Sequence, residues 1–91
     1  MKAFFPLGQI CATPGAIEAL EQSGLPATNL LIRHVQGDDG DLCREDKQAN
    51  RDALKTGARI FSSYKINDQL KIWIITEADR SVTTLLLPEE Y

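Results

Sequence analysis

Four side chains in this sequence have the chemistry of acid–base or phosphate-binding groups: Glu77, Arg59, Arg80 and His34. Glu77 and Arg80 belong to the dense polar run Thr76-Glu77-Ala78-Asp79-Arg80-Ser81. A carboxylate base with guanidinium donors, helped by the hydroxyl of Tyr64 or Thr84, is the kind of group that acts on RNA phosphodiesters. Tyr64, Glu77, Arg59 and Thr84 fall at spacings that let one sheet face carry all four. The same run also reads as turn chemistry, with Asp79 and Ser81 bonding the turn backbone and Arg80 pairing with Glu77 or the C-terminal acids. His34 is the only histidine. It lies one helical turn beyond Leu30 and Leu31, a place for a partly buried and structurally satisfied imidazole. As a general acid or base it has no Ser, Cys or Asp partner that spacing identifies, although Cys43 across the next loop leaves a Cys–His pair open.

Asp38, Asp39, Asp41, Glu45 and Asp46 gather acidic oxygens of the type that hard cations prefer. A calcium loop needs Gly at its sixth place and Glu at its twelfth. Counted from Asp38 these places hold Cys43 and Ala49, so the pattern fails and no metal is expected. Acids in the first turn of a helix, where the dipole favours them, account for the cluster better. No cofactor is expected either. Asp38 and Asp41, in the loop from Gly37 to Asp41, remain candidate binding residues, as do Tyr64 and Trp73 in the second half of the chain.

The elements that must position these groups follow from periodicity. Phe4–Ala12 reads as a short extended segment, with Cys11 as a small buried residue. Thr13 is an N-cap and Pro14 a first helical residue; Ala16, Ile17 and Leu20 form the stripe of a helix that Gly24 stops. A second helix starts at Pro26 or Thr28, buries Leu30, Leu31 and Val35 with Ile32 at its edge, and ends at Gly37. A third runs from Arg44 to Thr56 with Ala49, Ala53 and Leu54 inward, and Gly57 closes it. The period then changes to two. Arg59–Ile66, Lys71–Glu77 and Val82–Leu87 are rich in β-branched and aromatic residues, with turns at Asn67-Asp68 and Ala78–Ser81. The expectation is an α+β fold: a three-stranded antiparallel meander, with the N-terminal strand as a possible addition, packed against about three helices. Ile72-Trp73-Ile74-Ile75 is apolar on both pleat faces. That fits a central strand covered on both sides, or one covered on one side and used for association on the other.

Ninety-one residues suit a single domain spanning residues 1–91. A net charge of −3 argues against a general nucleic-acid binder, which needs a basic face. Arg44, Lys47, Arg51 and Lys55 cluster, but Glu45, Asp46 and Asp52 alternate with them as on a solvated helix face. Two cysteines make no disulfide framework. Met1–Phe5 lacks the pattern of a signal peptide, and no stretch approaches a membrane span, so the cytoplasm is the expected compartment.

The sequence resembles a family of small uncharacterised bacterial proteins of plasmids, integron cassettes and other mobile DNA. The resemblance rests on Gly8-Gln9-Ile10 with Ala12-Thr13-Pro14-Gly15-Ala16, on Arg33-His34 with Gly37-Asp38, and on Gly40-Asp41-Leu42-Cys43 with Glu45-Asp46-Lys47 and Asn50. It continues through Lys71–Ser81, Thr83-Thr84, Leu87-Pro88 and Glu90-Tyr91. The family often carries Trp where this chain has Asp39. Relatives are labelled plasmid-related proteins or a restriction–modification subunit. The second label conflicts with a chain this short, which cannot supply a methyltransferase's Gly-rich cofactor loop on a doubly wound sheet.

Two functions follow as expectations. One is a non-enzymatic accessory protein of a mobile element that binds a protein partner, or associates with itself, through the meander or the Gly37–Asp41 loop. The other is a small RNA-cleaving or nucleotide-acting enzyme that uses Glu77 with His34, Arg59 or Arg80, provided they converge in one cleft.

Overall fold

A computed structural model describes residues 3–91; Met1 and Lys2, which open the Met1–Phe5 stretch considered above, lie outside the described residues. The elements in chain order are β1 (Gln9–Ala12), α1 (Pro14–Ser23), α2 (Ala27–Val35), α3 (Arg44–Thr56), β2 (Ile60–Asn67), β3 (Leu70–Thr76), β4 (Val82–Leu86) and a 3-10 turn at Pro88–Glu90. The sheet has four strands in the order β1-β4-β3-β2. β2, β3 and β4 form the antiparallel meander expected from their short links, but β1 runs parallel to β4. The sheet is therefore mixed. The three helices between β1 and β2 give the chain the length that a parallel return requires.

Period-two alternation sorts the strand residues onto two faces. Ile60, Ser62 and Tyr64 of β2, Ile72, Ile74 and Thr76 of β3, and Thr83 and Leu85 of β4 are buried toward the helices. One cluster joins them to Ala16, Ala19 and Leu20 of α1 and to Leu30 and Leu31 of α2. A second joins Phe5, Val35, Ala53 and Ile60 and brings in α3. Thr13 caps α1 as expected, its Oγ1 accepting from the Ala16 N–H at 3.2 Å, and Gly24 and Gly57 close α1 and α3.

Several inward positions differ from expectation. Cys11 is exposed, because β1 is an edge strand with all four residues open. Ile17 and Leu54 are also exposed, and so is Ala49. On α3 the inward residues are Asn50 and Ala53. A polar residue faces in because β2 needs its amide. The Asn50 Oδ1 accepts from the Phe61 N–H at 3.0 Å, and its Nδ2 donates to the Phe61 carbonyl.

The loop after α2 continues this seal along the same strand. Ser63 N–H donates to the Asp39 carbonyl, Asp41 N–H donates to the Ser63 carbonyl, and Asp41 Oδ2 accepts from the Lys65 N–H at 2.7 Å. Gly40 sits against Ser63 with φ +74, and a Cβ there would lie 2.2 Å from the Ser63 oxygen. Only glycine allows this approach. The outer edge of β2 is thus satisfied at Phe61, Ser63 and Lys65.

Arg80 is the one described non-glycine residue with positive φ, at 61°. Its guanidinium donates to the carbonyls of Ala58 (2.6 Å), Glu77 (3.1 Å) and Ala53 (3.2 Å). The β3–β4 turn is thereby tied to the C-terminal end of α3, where a cation also meets the favourable end of the helix dipole. Arg80→Ala keeps the strained backbone and leaves these carbonyls without their charged donor. It is expected to lower the stability measured by urea unfolding by about 2 kcal/mol, and Arg80→Lys to recover less than half of that, because an ammonium lacks the planar fork.

Candidate binding site

The four candidate catalytic residues do not converge. His34 is buried on the helix side of the sheet, at 1% exposure. Its Nδ1 lies 2.6 Å from Ser62 Oγ and its Nε2 2.9 Å from Thr76 Oγ1. Thr76 Oγ1 is 2.8 Å from Thr83 Oγ1, which donates to the Leu7 carbonyl at 2.7 Å. Each hydroxyl has one proton to give, so the carbonyl at the end fixes the order. Thr83 gives its proton to Leu7, Thr76 gives its proton to Thr83, and Nε2–H donates to Thr76. Nδ1 then accepts from Ser62. His34 is neutral, protonated at Nε2, and its Phe5 neighbour meets the ring edge-on at 5.1 Å. Burial pushes its pKa down to about 4. The chain of bonds straps α2 to β2, β3, β4 and the N-terminal segment, and all its polar atoms are used internally.

Glu77 follows Thr76 and turns the other way, onto the sheet face without helices. Its carboxylate lies 3.5 Å from Arg59 Nε. His34 and Glu77 therefore stand on opposite sides of the sheet, and the paired acid–base arrangement is not formed. Arg80 is spent on backbone carbonyls. Tyr64 does not share a face with Glu77, Arg59 and Thr84: it is buried at 1% exposure, its hydroxyl donates to the Asp38 carbonyl, and burial pushes its pKa up to about 12. Asp38 and Asp41 serve the fold. Asp38 pairs with Arg33 Nε at 2.7 Å and caps Gly40 N–H, and the Arg33 hydrogen bond holds its pKa below the usual range. Asp41 is bonded to β2 as described. Among the described residues no three His, Cys, Asp or Glu side chains gather as metal ligands.

Of the sequence-derived candidates, Trp73 and Arg59 lie on an open cleft. The face away from the helices carries Phe61, Ser63 and Lys65 of β2, Lys71, Trp73 and Ile75 of β3, and Thr84 and Leu86 of β4, in register with one another. A cleft of about 290 Å³ is lined there by Arg59, Phe61, Trp73, Ile75 and Tyr91. Phe61 and Trp73 meet edge to face at 4.9 Å, and Trp73 meets Tyr91 at 5.9 Å. Arg59 donates to the Tyr91 hydroxyl at 3.2 Å, which together with Glu77 raises its pKa. The guanidinium also stands 5.9 Å from the Tyr91 ring centre. Phe61 and Tyr91 are not among the sequence-derived candidates. Phe61 carried a signal, since Arg59, Phe61 and Ser63 alternate in one strand. Tyr91 carried none, because only the turn at Pro88–Glu90 brings it back over the sheet.

Comparisons with protein-family models, curated proteins and solved structures return no match to this chain.

Proposed function

We propose that this protein is a non-enzymatic interaction module that binds a protein partner on the helix-free face of its sheet. The observation that carries this reading is the aromatic cleft of Phe61, Trp73 and Tyr91 with Arg59 at its rim. Partly exposed aromatic residues and Arg are the side chains that anchor binding interfaces. The face is also locally basic in an acidic chain. Arg59, Lys65 and Lys71 stand on it, Arg59 paired with Glu77 and Lys65 with Asp68 at 3.7 Å, and Lys65 lies directly opposite Lys71. Like charges placed so disfavour the sheet, and among the described residues Asp68 answers Lys65 while no carboxylate pairs with Lys71. The fitting partner is a segment that seats an apolar side chain in the cleft and sets carboxylates beside Arg59 and the two lysines.

The accessory role in a mobile element rests on the sequence resemblance alone. The cytoplasm agrees with two free, exposed cysteines, and no helix among the described residues is long and apolar enough to cross a membrane. The enzymatic reading loses support from the separation of His34 and Glu77.

Selection of displayed random peptides tests the proposal. Peptides that combine an aromatic or aliphatic residue with nearby Asp or Glu are expected to be enriched. Trp73→Ala and Arg59→Ala should each weaken their binding tenfold or more with the fold intact. Peptides that bind both variants as well as wild type would refute the assignment. Quenching of the single Trp by oligo(dT), without peptide selection, would move the face to single-stranded nucleic acid.

A further inference from the structure

The two edges of the sheet are treated differently, and β1 is the one left open. The β2 edge is sealed by Asn50 and the Asp39–Asp41 loop. In β1, Gln9 N–H donates to the Ser81 carbonyl, and Thr13 N–H just beyond the strand donates to the Leu85 carbonyl. The odd positions thus face β4, and the period of two turns the N–H and C=O groups of Ile10 and Ala12 to the free edge. No hydrogen bond from outside the ladder reaches the backbone of either residue among the described residues. Natural edges are guarded by charge, proline or a bulge, yet Gln9-Ile10-Cys11-Ala12 contains none of these and all four residues are exposed.

We propose that β1 pairs antiparallel with β1 of a second copy, joining two four-stranded sheets into one of eight strands. The strand itself selects this occupant. In a two-fold pairing, opposed residues must face the same side of the sheet. Ile10 opposite Ala12 of the second copy satisfies that rule, exchanges both open N–H···O=C pairs, and sets Gln9 opposite Thr13, whose backbone is still extended at φ −72 and ψ 157. Centring on Ile10 would draw in Gly8, whose φ of +65 departs from a strand. Centring on Ala12 would draw in Pro14, inside α1.

The flanks agree with the same axis. Beside Ile10 lies an apolar cleft of about 220 Å³ formed with Leu7, Leu31, Ile32 and Val35. Beside Ala12 lies one of about 420 Å³ formed with Ile17, Leu20 and Leu25. Ile10, Ile17 and Ile32 are 49%, 46% and 42% exposed. The two-fold brings the Ile10 side of each copy against the Ala12 side of the other, as an isologous contact requires. It also sets Cys11 opposite Cys11 of the second copy as a non-hydrogen-bonded pair about 4.5 Å apart between Cα atoms, within disulfide reach.

Sedimentation and cross-linking test the pairing. Wild type is expected to sediment as a dimer at tens of micromolar. Ile10→Lys should weaken dimerisation at least tenfold while retaining the wild-type circular dichroism. Diamide, which takes up the two thiol hydrogens as it forms a disulfide, should convert Cys43→Ser to a covalent dimer and leave Cys11→Ser monomeric in denaturing gels. Monomeric wild type at 100 µM, a dimer indifferent to Ile10→Lys, or cross-linking through Cys43 in place of Cys11 would each overturn the proposal. The first of these would leave the edge to an extended segment of another protein.

Discussion

Acidification from pH 6.5 to pH 4 is expected to remove roughly 3 kcal/mol of stability through the single imidazole. His34 titrates near 6.5 when unfolded and near 4 when folded, because burial disfavours its charged form. Above pH 6.5 it is neutral in both states and contributes no slope. Between the two values the unfolded chain holds a proton that the folded chain refuses, so stability falls as pH falls. Below pH 4 both states are protonated and the loss levels off. Asp38 behaves in the opposite sense. Its folded pKa is depressed, chiefly by the Arg33 hydrogen bond, so its contribution is present above the ordinary Asp value and is lost as pH falls through the folded one. That window lies below the His34 window. Unfolding at pH 5 should take up about 0.9 proton through this side chain, measurable by calorimetry in buffers of different ionisation enthalpy. His34→Gln should flatten the urea-derived profile between pH 4 and 6.5. A wild-type profile that is already flat there would mean that water reaches the imidazole.

The second large effect is expected at Asn50. Its amide satisfies both the N–H and the C=O of Phe61, and its Nδ2 also reaches Asp39 Oδ2 at 3.2 Å. Asn50→Ala removes donor and acceptor together and strands two backbone groups beneath α3, a loss of about 2–3 kcal/mol in urea unfolding. Asn50→Asp is expected to cost more, although it is nearly isosteric. Its second oxygen would face the Phe61 carbonyl and the Asp39 carboxylate, where attraction becomes repulsion. Both variants should also scatter more light on mild heating, because an opened β2 edge is a template for another strand. A change below 0.5 kcal/mol for Asn50→Ala would mean that Phe61 finds other partners.

The sequence was most legible where pattern and local chemistry agree. The span of α3, the Thr13-Pro14 start and Gly24 stop of α1, and the meander follow from periodicity, caps and short links, which act over a few residues. Legibility ended where a long-range partner decided the outcome. Ala49 and Leu54 are the apolar choices for the inner face of α3, yet Asn50 faces in, since the Phe61 backbone some way along the chain needs its amide. Cys11 reads as core until β1 is known to lie at the edge. Tyr64 and Glu77 look like members of one face, and parity sends Tyr64 inward and Glu77 outward. For the site, Trp73 was legible from its strand. Arg80 looked like a reagent and is a brace, because its donors meet carbonyls from three parts of the chain. The hydroxyl partners of His34 come from β2 and β3, and no spacing within α2 could indicate them.

The parallel lie of β1 against β4 governs how the chain is born. Gln9–Ala12 leaves the ribosome well before its ladder partner Val82–Leu86, and the Thr83 hydroxyl reaches a Leu7 carbonyl 76 positions upstream. At roughly 5–20 residues per second, the N-terminal strand waits on the order of ten seconds for anything to pair with. Meanwhile helices α1 to α3 are synthesised without the sheet that buries their apolar faces. The β2–β3 hairpin is the first sheet surface they meet, and β1 can be added only after β4 arrives. Nascent chains arrested before Val82 clears the exit tunnel should therefore expose Gln9–Ala12 to protease, and chains released beyond it should protect it.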